Sequence, residues 1–132
     1  MRVRRRGFTL IELIIVFAMI GILVGLGLPQ FKYAMRKARE AVLKEDLFQM
    51  RKLIDQYFTD KEKHPTSLQV LVEDGYLRQI PVDPFTKSSQ TWVEVRETLT
   101  EENLLSGQIL GIVDVHSGAT EKGMDGTTYD TW

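Results

Sequence analysis

At 132 residues and with no cysteine, the chain has room for one folded domain, and that domain cannot rest on disulfides. Its 17 basic and 18 acidic residues nearly cancel, but Arg2, Arg4, Arg5 and Arg6 all precede Gly7; without them, 17 − 4 = 13 basic residues face 18 acidic ones. From residue 97 onward Lys122 is the one Lys or Arg, against Glu97, Glu101, Glu102, Asp114, Glu121, Asp125 and Asp130. Such an acidic end argues against a nucleic-acid partner and suits a cation or a basic surface.

The first element is an apolar run from Phe8 to Leu28, 21 residues in which Glu12 is the sole charge. As a helix it spans about 31 Å, close to the hydrocarbon thickness of a bilayer. The arginines before it predict a cytoplasmic N-terminus and an exported remainder. A secretory signal places its cleavage site after the apolar region. Here the one processing signal, Arg4-Arg5-Arg6-Gly7, lies before it. A cut there keeps the apolar segment in the mature chain, as a structural part.

Glu12 allows two readings. In one, the carboxylate snorkels toward the headgroups and complements the helix N-terminal dipole. In the other, a cut after Gly7 gives Phe8 a positive α-amine one helical turn from Glu12, and acid and amine pair within a chain or between copies. Pairing between copies would set register in an assembly of identical helices. Farther along, Gly21, Gly25 and Gly27 weaken the helix, and Pro29 cannot donate to the carbonyl of Gly25. Loosening or a kink is expected between 21 and 29.

After Pro29 the pattern becomes amphipathic. Met35, Ala38, Val42, Leu47, Met50, Ile54 and Tyr57 recur at helical spacing. Charged residues lie between them, with Glu40–Lys44 an i, i+4 pair on the solvated face. One long helix from about 8 to 58 is predicted, half in lipid and half covering a small head. The stretch "DKEKHPTSL" breaks it, and His64 reads as a turn residue. Thr66 or Ser67 can cap a short helix through about Glu73, with Gly75 as its stop. The segments "TWVEVRE" and "GQILGIVDV" read as strands, separated by a polar turn or short helical excursion in "TLTEENLLSG". The fold class is α+β: a long N-terminal helix packed on a small antiparallel sheet.

No nucleophile motif, zinc spacing or phosphate loop is visible, and neither histidine has the context of a triad, so no enzyme is expected. The last stretch, "DVHSGATEKGMDGTTYDTW", offers hard oxygens from Asp114, Ser117, Asp125 and Asp130 in a glycine-rich loop, a donor set for Ca²⁺. His116 would favour a softer ion, and faces the same way as Asp114 if the strand continues. The other reading of this stretch is a solvated acidic loop pinned by Trp132.

The residues "GFTLIELIIVFAMIGILVGLGLP" resemble the N-terminal signal of type IV pilins and type II secretion pseudopilins, matching at Gly7, Phe8, Thr9, Leu10, Glu12 and Pro29. The resemblance implies that a prepilin peptidase cuts between Gly7 and Phe8 and N-methylates Phe8, and that Glu12 and Pro29 serve assembly. Residues 53–85 are similar to the G-type major pseudopilin, through Leu68, Leu71, Gly75-Tyr76-Leu77, Pro81 and Asp83-Pro84-Phe85, although Thr86 and Lys87 depart from its pattern. In that family a C-terminal loop binds calcium; here the loop is shorter, and Thr120-Glu121-Lys122 stands where its first aspartate is expected.

The resemblance implies a cytoplasmic leader peptide (1–7), a transmembrane and filament-core helix (8–30), and an amphipathic half-helix with a periplasmic head (31–132). It implies a single-pass inner-membrane protein that polymerises into a pseudopilus. The expected partners are copies of itself, prepilin peptidase, minor pseudopilins and the inner-membrane assembly platform, with no nucleic acid. A type IV pilin for adhesion or motility is the alternative within the family; the absent disulfide and residues 53–85 favour the pseudopilin. A membrane-anchored binding module that never polymerises is a further alternative, for which Glu12 would have no use.

Overall fold

The computed structural model describes residues 7–107 and 109–132. The leader arginines, Arg2 to Arg6, and Gln108 lie outside the described residues. The chain forms two compact units, one reaching Arg36 and the other spanning Lys37–Trp132. Its elements are α1 (Leu10–Lys61), α2 (Leu68–Glu73), β1 (Val93–Arg96), α3 (Glu101–Ser106), β2 (Ile112–His116) and a 3-10 turn at Tyr129–Thr131.

In the first unit every described residue from Gly7 to Arg36 is exposed. The helix is unbroken through Gly21, Gly25, Gly27 and Pro29. One missing N–H donor is tolerated because the other residues of the turn keep the helical path.

The second unit is built on the later turns of α1. Leu43, Leu47, Met50, Ile54 and Tyr57 form its buried stripe. Leu68 and Leu71 of α2, Trp92, Ile112 and Val115 of β2, Ala119 and Tyr129 complete the core. The sequence stripe was right from Leu47 on but started on the wrong track. Val42 is 50% exposed, whereas Leu43 is fully buried. Spacings of four and three from Leu43 onward keep one face toward the head, and Val42 lies about 100° around the helix from it. One turn earlier the same stripe reaches Glu40, which is 8% exposed and therefore buried, contrary to its placing on the solvated face. Its Oε1 accepts the Met124 N–H (2.8 Å) and the Tyr129 hydroxyl (2.9 Å). The carboxylate is buried because the C-terminal segment brings it those donors.

α1 ends three residues beyond the expected Phe58, with Glu62 in the left-handed region (φ 56°) donating its N–H to Phe58 O. Ser67 stands at the N-cap of α2, but the Leu68 N–H is taken by Glu94 Oε1 of β1 (2.9 Å). Gly75 closes α2 as expected: at φ 79° it turns the chain so that the Tyr76 N–H reaches Leu71 O.

β1 and β2 form a two-stranded antiparallel sheet in the register Val93↔His116, Glu94↔Val115, Val95↔Asp114 and Arg96↔Ile112, with an irregularity between Val95 and Arg96. Val93 and Val95 are exposed, and Glu94 turns in to cap α2, so β1 presents its apolar side chains outward. The segment between the strands is helical (α3), as one of the two readings had it.

Candidate functional site

Two places carry the predicted residues: the start of α1 and the C-terminal loop. At the first, Gly7, Phe8 and Thr9 precede the helix, so the Gly7–Phe8 peptide bond lies in non-helical, exposed chain. That is the state in which a protease can bind a peptide bond, since a helical bond keeps its carbonyl and N–H engaged. Thr9 is the N-cap: its carbonyl accepts the Leu13 N–H (3.3 Å) and its hydroxyl accepts the Glu12 N–H (3.4 Å). Thr9-Leu10-Ile11-Glu12 thus has the S/T-x-x-E spacing of a capping box, a signal in the sequence that its reading overlooked. Phe8 lies before the first turn, so in the uncut chain helical i, i+4 geometry does not extend from Glu12 to Phe8. Glu12 sits three residues after the cap, where its charge favours the helix N-terminal dipole.

The C-terminal loop is a wound hairpin. Lys122 bridges Thr128, the Gly123 N–H reaches Thr127 O (2.6 Å), and Gly126 takes φ 87° at the tip. Tyr129 is fully buried, stacked on Phe85 at 4.0 Å between ring centres and meeting Trp132 edge-on at 4.9 Å. The Trp132 indole N–H donates to the Thr127 hydroxyl (2.6 Å), and Lys44 Nζ lies 4.3 Å from the centre of that ring. Trp132 pins the loop, as its sequence position suggested.

Three of the four expected calcium ligands, Asp114, Ser117 and Asp125, take separate partners. Asp114 Oδ1 accepts from Arg51 Nε at 2.6 Å, and Asp114 Oδ2 lies 3.5 Å from His116 Nε2, which places both side chains on one face of β2. The Ser117 hydroxyl is buried and donates to the fully buried Asp83. Asp125 Oδ1 accepts the Thr127 hydroxyl (2.7 Å) and N–H (3.0 Å), and those two bonds, the hydroxyl first, hold its carboxyl below the ordinary value. Asp130 is exposed in the 3-10 turn. Among the described residues no group of three or more His, Cys, Asp or Glu side chains is placed to hold a metal ion.

Sequence reading missed Asp83 as a structural acid. It sits in the Asp83-Pro84-Phe85 turn, where Oδ1 accepts the N–H groups of Phe85 (2.8 Å) and Thr86 (3.2 Å). An Asp accepting from the next two or three N–H groups is the Asx-turn signature, which the sequence did carry. Asp46 was unremarked too: burial, then the negative charges of Asp83 and Glu45, raise its carboxyl above the ordinary 3.8.

Comparison with known proteins agrees with this geometry. Residues 2–28 match a family described as the prokaryotic N-terminal methylation motif. The type II secretion system core protein G of Klebsiella pneumoniae is 32% identical over 103 residues, 66% of this chain and 74% of that protein. Its counterpart from Pseudomonas aeruginosa is 33% identical over 100 residues, 64% and 70% of the two chains. That of Pectobacterium carotovorum subsp. carotovorum is 28% identical over an alignment covering 96% of this chain and 83% of its own. No solved structure matches. The chain belongs to the family of the type II secretion system core protein G, the G-type pseudopilins.

Proposed function

We propose that the chain is cut between Gly7 and Phe8 by a prepilin peptidase, methylated on the Phe8 amine, and polymerised through α1. Its function is that of a major pseudopilin, a structural subunit of type II secretion. Residues 1–7 are then a cytoplasmic leader, 8–30 the membrane and filament-core segment, and 31–132 the amphipathic half-helix and periplasmic head. Before assembly α1 anchors the chain in the inner membrane: it is the one helix among the described residues long and apolar enough to cross a bilayer. In the filament, minor pseudopilins and the inner-membrane assembly platform are its partners.

The observation that carries this reading is the surface of α1 from Leu10 to Leu28. It is apolar on all sides, wholly exposed, and bears one carboxylate four residues from the cut. A helix apolar all round needs lipid or other helices about it. Copies of the same helix supply both an apolar surround and, through the Phe8 amine that cleavage creates, a cation for Glu12. The likeness to core protein G extends well beyond the methylation motif, over 103 residues, which favours the pseudopilin over a type IV pilin or a monomeric binding module.

Co-expression with a prepilin peptidase, followed by mass spectrometry of the membrane-extracted protein, tests it. The product should begin at Phe8 and carry one extra methyl. An intact leader, or a cut inside the apolar run, would sink the reading. Glu12→Gln should still insert and be cleaved, since an amide is no harder to place in lipid than a carboxylate. Filament yield should nevertheless fall sharply, and unimpaired assembly of this variant would leave snorkelling as a sufficient account of Glu12.

A further inference from the structure

The oxygens around Arg51 are arranged as a hard cation would collect them. Nε donates to Asp114 Oδ1 (2.6 Å), and Nη2 donates to the main-chain oxygens of Val115 (2.9 Å) and Trp132 (2.7 Å). One side-chain carboxylate and two main-chain oxygens, from β2 and from Trp132, thus meet a single positive group. Carboxylate and backbone oxygens drawn from different segments are what a calcium ion gathers. We infer that Arg51 is the resident cation of the C-terminal loop, and that in this chain the guanidinium closes the loop without a divalent metal.

Three further observations agree. Of the other expected metal donors, Ser117 is committed to Asp83 and Asp125 to Thr127. A second cation already faces this end of the chain: Lys44 Nζ lies over the Trp132 ring at 4.3 Å. A divalent ion near Asp114 would meet the Arg51 guanidinium, and like charges at such distances disfavour one another. The Trp132 oxygen receives a second donor, His116 Nδ1 at 2.6 Å, so it is hydrogen-bonded from two sides before any ion arrives. Arg51 reaches these oxygens because it follows Met50 of the buried stripe, which places its stem at the edge of the core. A planar guanidinium can bind a carboxylate and carbonyls at once through a fixed fork, which a lysine ammonium cannot reproduce.

The inference concerns the head and is independent of how α1 assembles. The test uses the full chain in detergent micelles, followed by near-ultraviolet circular dichroism of its tryptophans during heating. In chelator and in millimolar calcium chloride the parent curves should superimpose; a midpoint that rises by several degrees with calcium overturns the inference. Arg51→Met keeps the aliphatic stem and removes the donors, and should melt several degrees lower in chelator. Arg51→Lys retains the charge with fewer donors and should fall between the two. A methionine variant as stable as the parent would also overturn it. Should the methionine variant fail to fold, the lysine variant and the parent's calcium titration still decide the matter.

Discussion

Ser117→Ala removes one buried hydroxyl and little volume, and the structure says what is lost. The Ser117 Oγ donates to Asp83 Oδ2 and accepts the Ala119 N–H (3.1 Å); Ser117 and Asp83 are both fully buried. A hydrogen bond to a charged group contributes about 1.5–3 kcal/mol, and a buried N–H left without its acceptor costs about 1–3 kcal/mol. Allowing for overlap between the two losses, about 2–4 kcal/mol is expected. For a unit of roughly 100 residues each kcal/mol moves the midpoint by about 4–8 °C, so the fall should be at least about 8 °C. Near-ultraviolet circular dichroism is the suitable assay, because helix α1 in a micelle would dominate a far-ultraviolet signal. Trp92, whose indole N–H donates to Pro81 O two residues before Asp83, reports on the same loop. The double variant with Asp83→Asn should destabilise by less than the sum of the single changes, since the two residues share one interaction. A Ser117→Ala midpoint within about 3 °C of the parent, under 1 kcal/mol on the same conversion, would refute the assignment of a stabilising role to this pair.

Two further changes probe the head. The folded chain holds the Asp46 proton more tightly than the unfolded chain does, so ionising Asp46 weakens the fold. That penalty is absent below the ordinary 3.8 and complete above the raised folded value. Asp46→Asn should therefore raise the melting midpoint near neutral pH, with the gain vanishing in acid; an equal gain at both would trace to something other than charge. Gly118→Ala places a Cβ 2.2 Å from Thr91 O, a backbone atom, and should cost about 1–3 kcal/mol on chemical denaturation. Gly21→Ala, where the new Cβ meets nothing within 4 Å, should leave the head's stability unchanged.

The N-terminal third was legible from the sequence because its physics is local. Whether a segment suits lipid depends on its own composition, and the residues of the N-terminal motif, Gly7, Phe8 and Glu12, lie within a few residues of one another. The pair of strands, the short helix ending at Gly75 and most of the buried stripe were legible for the same reason: period, propensity and glycine stereochemistry act over a turn or two.

Tertiary structure alone decided the partners of the charged groups. Glu40 looked like one half of a surface pair with Lys44, yet Tyr129 and Met124, more than eighty residues away, give it the donors that allow burial. Asp114 and Ser117 looked like neighbours in an ion site, yet Arg51 and Asp83, distant in the chain, claim them one by one. A carboxylate or hydroxyl has no preferred distance along the chain to its partner. Its fate is set by whichever donor the fold delivers, and no local pattern announces that choice.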